Sequence, residues 1–144
     1  MVNATIVKFG YPATRVAETD DWVILLRPQA VTLGSLVLAA KSEATSFGAL
    51  PPRSFTDLAQ ATAKIEAALI AFVEYEKINY LMLMMVDPHI HFHVVPRYQG
   101  TRSFKGLDFP DVGWPGMPAL SASRALDTAT TDAMVGALRG CGLT

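Results

Sequence analysis

From Asp87 to Tyr98 the chain reads Asp-Pro-His-Ile-His-Phe-His-Val-Val-Pro-Arg-Tyr, and all three of its histidines, His89, His91 and His93, fall within five residues of that run. Between and after them stand Ile90, Phe92, Val94 and Val95, which are β-branched, aromatic or apolar. Alternation with period two marks a β-strand whose successive side chains point to opposite faces. The pattern predicts one face carrying three imidazoles in a row and another sending Ile90, Phe92 and Val94 into a core. Three titratable rings on one surface are costly unless they are solvated, hydrogen-bonded or used. This strand is therefore the candidate site.

The other elements are read around it. Arg15 to Thr19 and Trp22 to Leu26 read as a hairpin across Asp20-Asp21. After a loop containing Gly34, Leu36 to Ala40 reads as an apolar central strand. Pro51-Pro52 can open a helix, since proline is tolerated in a first turn. The stripe Phe55, Leu58, Ile65, Leu69 and Phe72 carries that helix to about Val73. Ile78 to Met85 reads as a strand tightly connected through Val86-Asp87-Pro88 to the histidine strand, which should stop at Pro96 for want of a donor. Gly100 to Pro118 suggests an ordered but irregular segment, with Trp114 as its anchor. Asp127 to Leu138 reads as a short final helix with Asp127 as N-cap.

With 144 residues, 51% of them hydrophobic and 17% charged, the chain can bury a sheet covered by helices. We expect one domain over 1–144, with a core over about 14–98 and an extension over 99–144. A net charge of −1 gives no bulk reason to expect a nucleic-acid polymer or an acidic membrane as partner. The single cysteine, Cys141, fits a reducing, cytoplasmic setting. The first ten residues make a poor signal peptide, and no apolar run approaches a membrane span. Asn3-Ala4-Thr5 matches a glycosylation tripeptide, a pattern common by chance.

Three chemistries compete for the histidines. Metal binding suffers from geometry: alternate strand residues are roughly 6.6 Å apart, so three in a line cannot easily share one tetrahedral ion. Three merely satisfied or solvated rings form the second possibility. The third is nucleophilic catalysis, for which a neutral imidazole with one nitrogen held by a neighbour is well suited near pH 7. Phosphorus is a natural target, because phosphoryl transfer chiefly needs positioning and charge stabilisation.

The segment His89-Ile90-His91-Phe92-His93-Val94-Val95 resembles the histidine-triad signature of the HIT superfamily, in which three histidines alternate with apolar residues. The following Pro96-Arg97 is similar to the dinucleoside polyphosphate hydrolase branch, which includes the fragile histidine triad proteins. The order of elements from Thr14 to Tyr98 agrees. The resemblance implies an α+β fold: an antiparallel sheet of about five strands with one main helix and a short C-terminal helix, usually as a homodimer. It also implies hydrolysis or transfer at the α-phosphate of a nucleotide or dinucleotide substrate. His91 would be the nucleophile, His93 would support its orientation, and His89 would bind phosphate or assist the leaving group. Apolar residues of the Trp22 to Leu26 strand, Leu25 among them, would form part of the base pocket, with Ser35, Arg97 and Arg27 as further substrate contacts. No metal or cofactor is implied for the protein itself, and magnesium would enter only with the substrate.

Two departures bear on specificity. Many members have Pro-Gly-His before the third strand, where this chain has Leu33-Gly34-Ser35. Many also carry a Gly-rich loop bearing Gln and Ser or Thr before the triad, here cut to Val86-Asp87-Pro88. A carboxylate at Asp87 would repel phosphate unless it is turned away or paired. A nucleotide-binding module without turnover and a metal-dependent hydrolase are the alternatives to the enzyme reading.

Overall fold

A computed structural model describes residues 2–143. Its centre is a five-stranded, wholly antiparallel sheet built from β1 (Arg15–Glu18), β2 (Trp22–Leu26), β4 (Leu36–Ala40), β5 (Lys77–Leu81) and β6 (His91–Arg97), in the order β1-β2-β4-β6-β5. The short β3 (Gln29–Ala30) lies outside this sheet and pairs with β9 (Arg124–Ala125). Every residue of β2 and β4 is buried. That explains why these two segments read as continuous apolar runs: both of their faces are covered.

One face is covered by α2 (Pro52–Val73) and α3 (Thr128–Gly140). Ile24, Leu26, Leu36, Leu38, Ile90 and Val94 meet Ile65, Leu69 and Val73 of α2 and Met134 and Leu138 of α3 there. The helix face differs from the sequence stripe. Phe55 is 40% exposed, resting on Phe47, and the small residues Ala61 and Ala68 complete the buried face. They let the helix lie close to the sheet. Gly34 allows the β3–β4 connection to pass under it: its φ is +81°, and a Cβ would come within 2.9 Å of Val73 and 3.0 Å of Leu69. Asp127 does cap α3, accepting the Thr130 N–H at 2.8 Å.

The opposite face has a smaller apolar cluster of Val23, Leu25, Val37 and Ala39, covered by Ile6. Ile6 belongs to α1 (Ala4–Lys8), a helix that sequence periodicity does not disclose because five residues give little more than one turn. Asn3 starts it, accepting the Ile6 N–H at 3.0 Å and donating to the carbonyls of Ala40 (2.8 Å) and Ser42 (3.0 Å). The side chain that matched a glycosylation tripeptide is thus a buried cap.

Three further expectations are corrected. The strand expected over Ile78 to Met85 stops at Leu81, and the connection to β6 is a loop over 82–90 with Met84 at φ +53°. That loop holds His89, so only His91 and His93 lie on the strand. β6 also runs past Pro96 to Arg97, with Pro96 opposite Ile78. Proline costs nothing there: its carbonyl accepts from Thr32 Oγ1 at 2.6 Å on the β4 side, where ladder pairing has ended at Val94. Finally, the segment after Gly100 contains a hairpin, β7 (Thr101–Phe104) and β8 (Leu107–Pro110), turned by Lys105-Gly106. Both turn residues have positive φ, +50° and +80°, as a two-residue hairpin turn with the twist of its strands requires.

Candidate active site

The register places Leu25, Val37, His93 and Leu81 in one row across β2, β4, β6 and β5. The neighbouring row holds Val23, Ala39 and His91. Both imidazoles therefore stand on an apolar floor, on the sheet face away from α2. Their centroids are 5.1 Å apart with planes at 86°. Phe9, just beyond α1, packs against both, at 5.6 Å from His91 and 6.0 Å from His93. The N-terminal segment thus shields the pair from bulk water.

The ring nitrogens of His91 differ in what they meet. Nδ1 lies 2.7 Å from the carbonyl oxygen of His89. A carbonyl only accepts, so Nδ1 carries a proton, and in the neutral ring Nε2 keeps its lone pair. Among the described residues no fully buried side-chain nitrogen or oxygen lacks a partner. Nε2, which makes no hydrogen bond, is consequently open to an incoming group. His93 is held from another side: Arg27 Nε donates to its Nδ1 at 3.3 Å. Burial first, then the charges of Arg27 and His91, push the His93 pKa down to about 4, against an opposing pull from Asp87. His93 is therefore neutral at pH 7.

His89 contributes its backbone to this pair and its ring to another contact. The Thr5 hydroxyl bonds both its N–H (3.3 Å) and its Nδ1 (2.9 Å), while Nε2 faces Glu43 at 3.3 Å. Asp87, the carboxylate that would oppose phosphate, is paired with Lys8 at 2.7 Å. The first histidine of the run and the carboxylate before it thus both tie α1 to the loop preceding β6.

The remaining sequence-selected residues divide. Leu25 is fully buried beneath Ile6, part of the floor. Ser35 is buried in the turn before β4, where its hydroxyl donates to the Thr32 carbonyl (2.9 Å) and accepts the Thr32 N–H (3.0 Å). Arg97 shares the imidazoles' face but lies four residues beyond His93, about 13 Å along the strand. It makes a two-point contact with Asp111 (2.7 and 3.1 Å) and reaches Asn79 at 2.8 Å. Asp111 also accepts the Tyr98 N–H at 3.1 Å. Sequence reasoning overlooked Phe9, Thr5 and Lys8, for which the Asn3 cap followed by Ile6 and Phe9 was the available signal.

Two concavities open on this face. A groove of 430 Å³ runs between the β5 edge, Arg97 and the turn carrying Trp114 to Pro118. A smaller cleft of 180 Å³, lined by Lys8, Phe9, Arg27, Pro28 and Gln29, adjoins the imidazoles through Phe9 and Arg27. Among the described residues no three histidine, cysteine or acidic side chains converge as a metal-ligand set. No described helix is long and apolar enough to cross a membrane.

The comparisons agree with this architecture. The model of the HIT domain matches residues 8–100, and the chain belongs to the HIT-domain family. Solved structures share the fold at low identity. A histidine triad protein of Sinorhizobium meliloti is 17% identical, with 97% of this chain and 95% of that chain covered and a TM-score of 0.75. A histidine triad protein of Bradyrhizobium japonicum is 18% identical over 97% and 96% of the two chains, with a TM-score of 0.69. A hypothetical histidine triad nucleotide-binding protein of Sulfolobus tokodaii is 16% identical over 95% and 88%, with a TM-score of 0.70. No curated protein matches the chain significantly.

The Arg97–Asp111 contact is buried, the two side chains being 4% and 1% exposed. Removing one member of such a pair strands the other charge, at a cost of about 3–5 kcal/mol. Asp111→Ala is expected to lower unfolding free energy by that amount in urea titrations. Unchanged stability would mean that Arg97 is free to serve elsewhere.

Proposed function

We propose that this protein is a nucleotide hydrolase or nucleotidyl transferase that attacks an α-phosphate through His91. The observation that carries the reading is the 2.7 Å bond from His91 Nδ1 to the His89 carbonyl. In the neutral imidazole it leaves the Nε2 lone pair aimed as a nucleophile. In the first step Nε2 bonds to the α-phosphorus as the bond to the leaving group breaks, and that group departs with the electron pair. In the second step water attacks the phosphorus, the P–N bond breaks, and the nucleoside monophosphate leaves while its proton passes to solvent. Neither step needs a resident metal, and magnesium accompanies only the substrate's phosphates.

The 180 Å³ cleft beside the imidazoles suits the nucleoside, with the Phe9 ring as an apolar contact and Arg27 as a polar one. Substrates of this class are dinucleoside polyphosphates and nucleoside phosphoramidates, in keeping with the branch suggested by Pro96-Arg97. A homodimer paired through the free edge of β5, in a cytoplasmic setting that suits the lone Cys141, completes the proposal. Light scattering should give twice the chain mass, and a monomer at all concentrations would contradict that part.

Turnover of a diadenosine polyphosphate and of adenosine phosphoramidate, with AMP as the product followed, tests the main reading. Wild type should release AMP, and His91→Ala should be slower by roughly a thousandfold or more. The phosphoramidate reaction should survive chelation. Thermal stabilisation by AMP without any AMP release would favour a non-catalytic nucleotide-binding module instead, since a ligand bound to the native state stabilises it either way.

A further inference from the structure

The two facing imidazoles are held through the same ring atom in opposite senses. His91 gives its Nδ1 proton to a carbonyl. His93 accepts a hydrogen bond at Nδ1, because the atom 3.3 Å away is Arg27 Nε. A guanidinium N–H donates and cannot accept, so this contact has one direction. A neutral imidazole owns one N–H, and when Nδ1 accepts, the proton sits on Nε2. The pair thus offers a lone pair at Nε2 of His91 and an N–H at Nε2 of His93.

We infer that Arg27 is a positioning residue that fixes His93 as a neutral Nε2–H donor beside the His91 nucleophile. Arg27 is itself anchored. Its backbone N–H bonds the Ser35 carbonyl at 2.9 Å just beyond the end of β2, and a terminal nitrogen bonds the Gln29 carbonyl. Its Nε is thereby turned along the sheet toward His93. The other cations nearby are engaged: Lys8 with Asp87, and Arg97 with Asp111.

The surroundings of His93 favour the neutral ring. Arg27, just beyond the end of β2, and His91 from its own strand oppose protonation, and Asp87 in the preceding loop favours it. Asp87 has Lys8 on its other side. The cross-strand neighbours, Val37 of β4 and Leu81 of β5, are apolar. A neutral donor can bond a phosphate oxygen without being drawn into an ion pair with it. The catalytic consequence rests on the function proposed above, whereas the tautomer itself does not.

Nitrogen-15 spectra of labelled histidines, taken across a pH titration, test the inference in three proteins. In wild type His93 should be the Nε2–H tautomer, with a midpoint near 4. Arg27→Met removes both donor and charge. The His93 signals should move toward a tautomer mixture, and the midpoint should climb toward the ordinary histidine value of about 6.5. Arg27→Lys places a methylene where Nε stood but keeps a cation, so the tautomer should loosen while the midpoint stays low. The His91 signals, which depend on the His89 carbonyl, report that the fold persists in each variant. With a turned-over substrate, Arg27→Met should also lose roughly 10–100-fold in kcat. A wild-type His93 protonated on Nδ1, or His93 spectra unchanged in both variants, would overturn the inference even if no substrate is ever found.

Discussion

The bond between His91 Nδ1 and the carbonyl of His89 is the constraint around which the rest of the site is arranged. It can form only because the chain leaves its extended course before His91, so that a carbonyl two residues back meets the ring instead of a ladder partner. The Thr5 hydroxyl fixes that departure by holding both the backbone N–H and the ring of His89. The first histidine of the run consequently acts on the second through the main chain. Its side chain serves α1, which in turn carries Phe9 over the buried ring of His91 and the half-buried ring of His93. One short helix, one loop and one strand are locked together by the contacts of His89, with the Lys8–Asp87 pair and the packing of Phe9 beside them.

The sheet supplies rigidity that a loop-borne site would lack. His91 and His93 stand on β6, flanked by β4 on one side and β5 on the other, so their spacing is set by strand geometry. Apolar neighbours beneath and Phe9 above lower the local polarity. That raises the value of each hydrogen bond and holds His93 neutral. Charge is confined to groups whose partners are already assigned, with Asp87 neutralised by Lys8 and Arg97 by Asp111. Among the described residues, Arg27 alone brings a cation into contact with the imidazoles.

What could be read in the sequence follows from the range of the forces involved. β2, β4 and α2 have sharp local signatures, apolar runs closed by turns and a helix opened by Pro51-Pro52, and the structure keeps those bounds closely. The pairing of His91 with His93 was legible in their spacing, since period two places both on one face. His89 was not, because alternation says where a ring points only while the chain stays extended. The contact of Arg97 with Asp111 joins residues 14 apart across a hairpin, and nothing local marks it. Ser35 looked like a replacement for a histidine, but its hydroxyl closes its own turn. The Lys105-Gly106 turn carried a readable signal, masked by the Gly- and Pro-rich composition around it.

The proposed reaction turns on a covalent bond between His91 and phosphorus. Rapid-quench trapping with a diadenosine polyphosphate or adenosine phosphoramidate, followed by peptide mass spectrometry, examines it directly. An AMP adduct on the peptide spanning the triad, localised to His91 and chased by water to free AMP, is the predicted result. Turnover that proceeds with no adduct at any quench time, or with the adduct on another residue, would contradict the assignment of His91 as nucleophile.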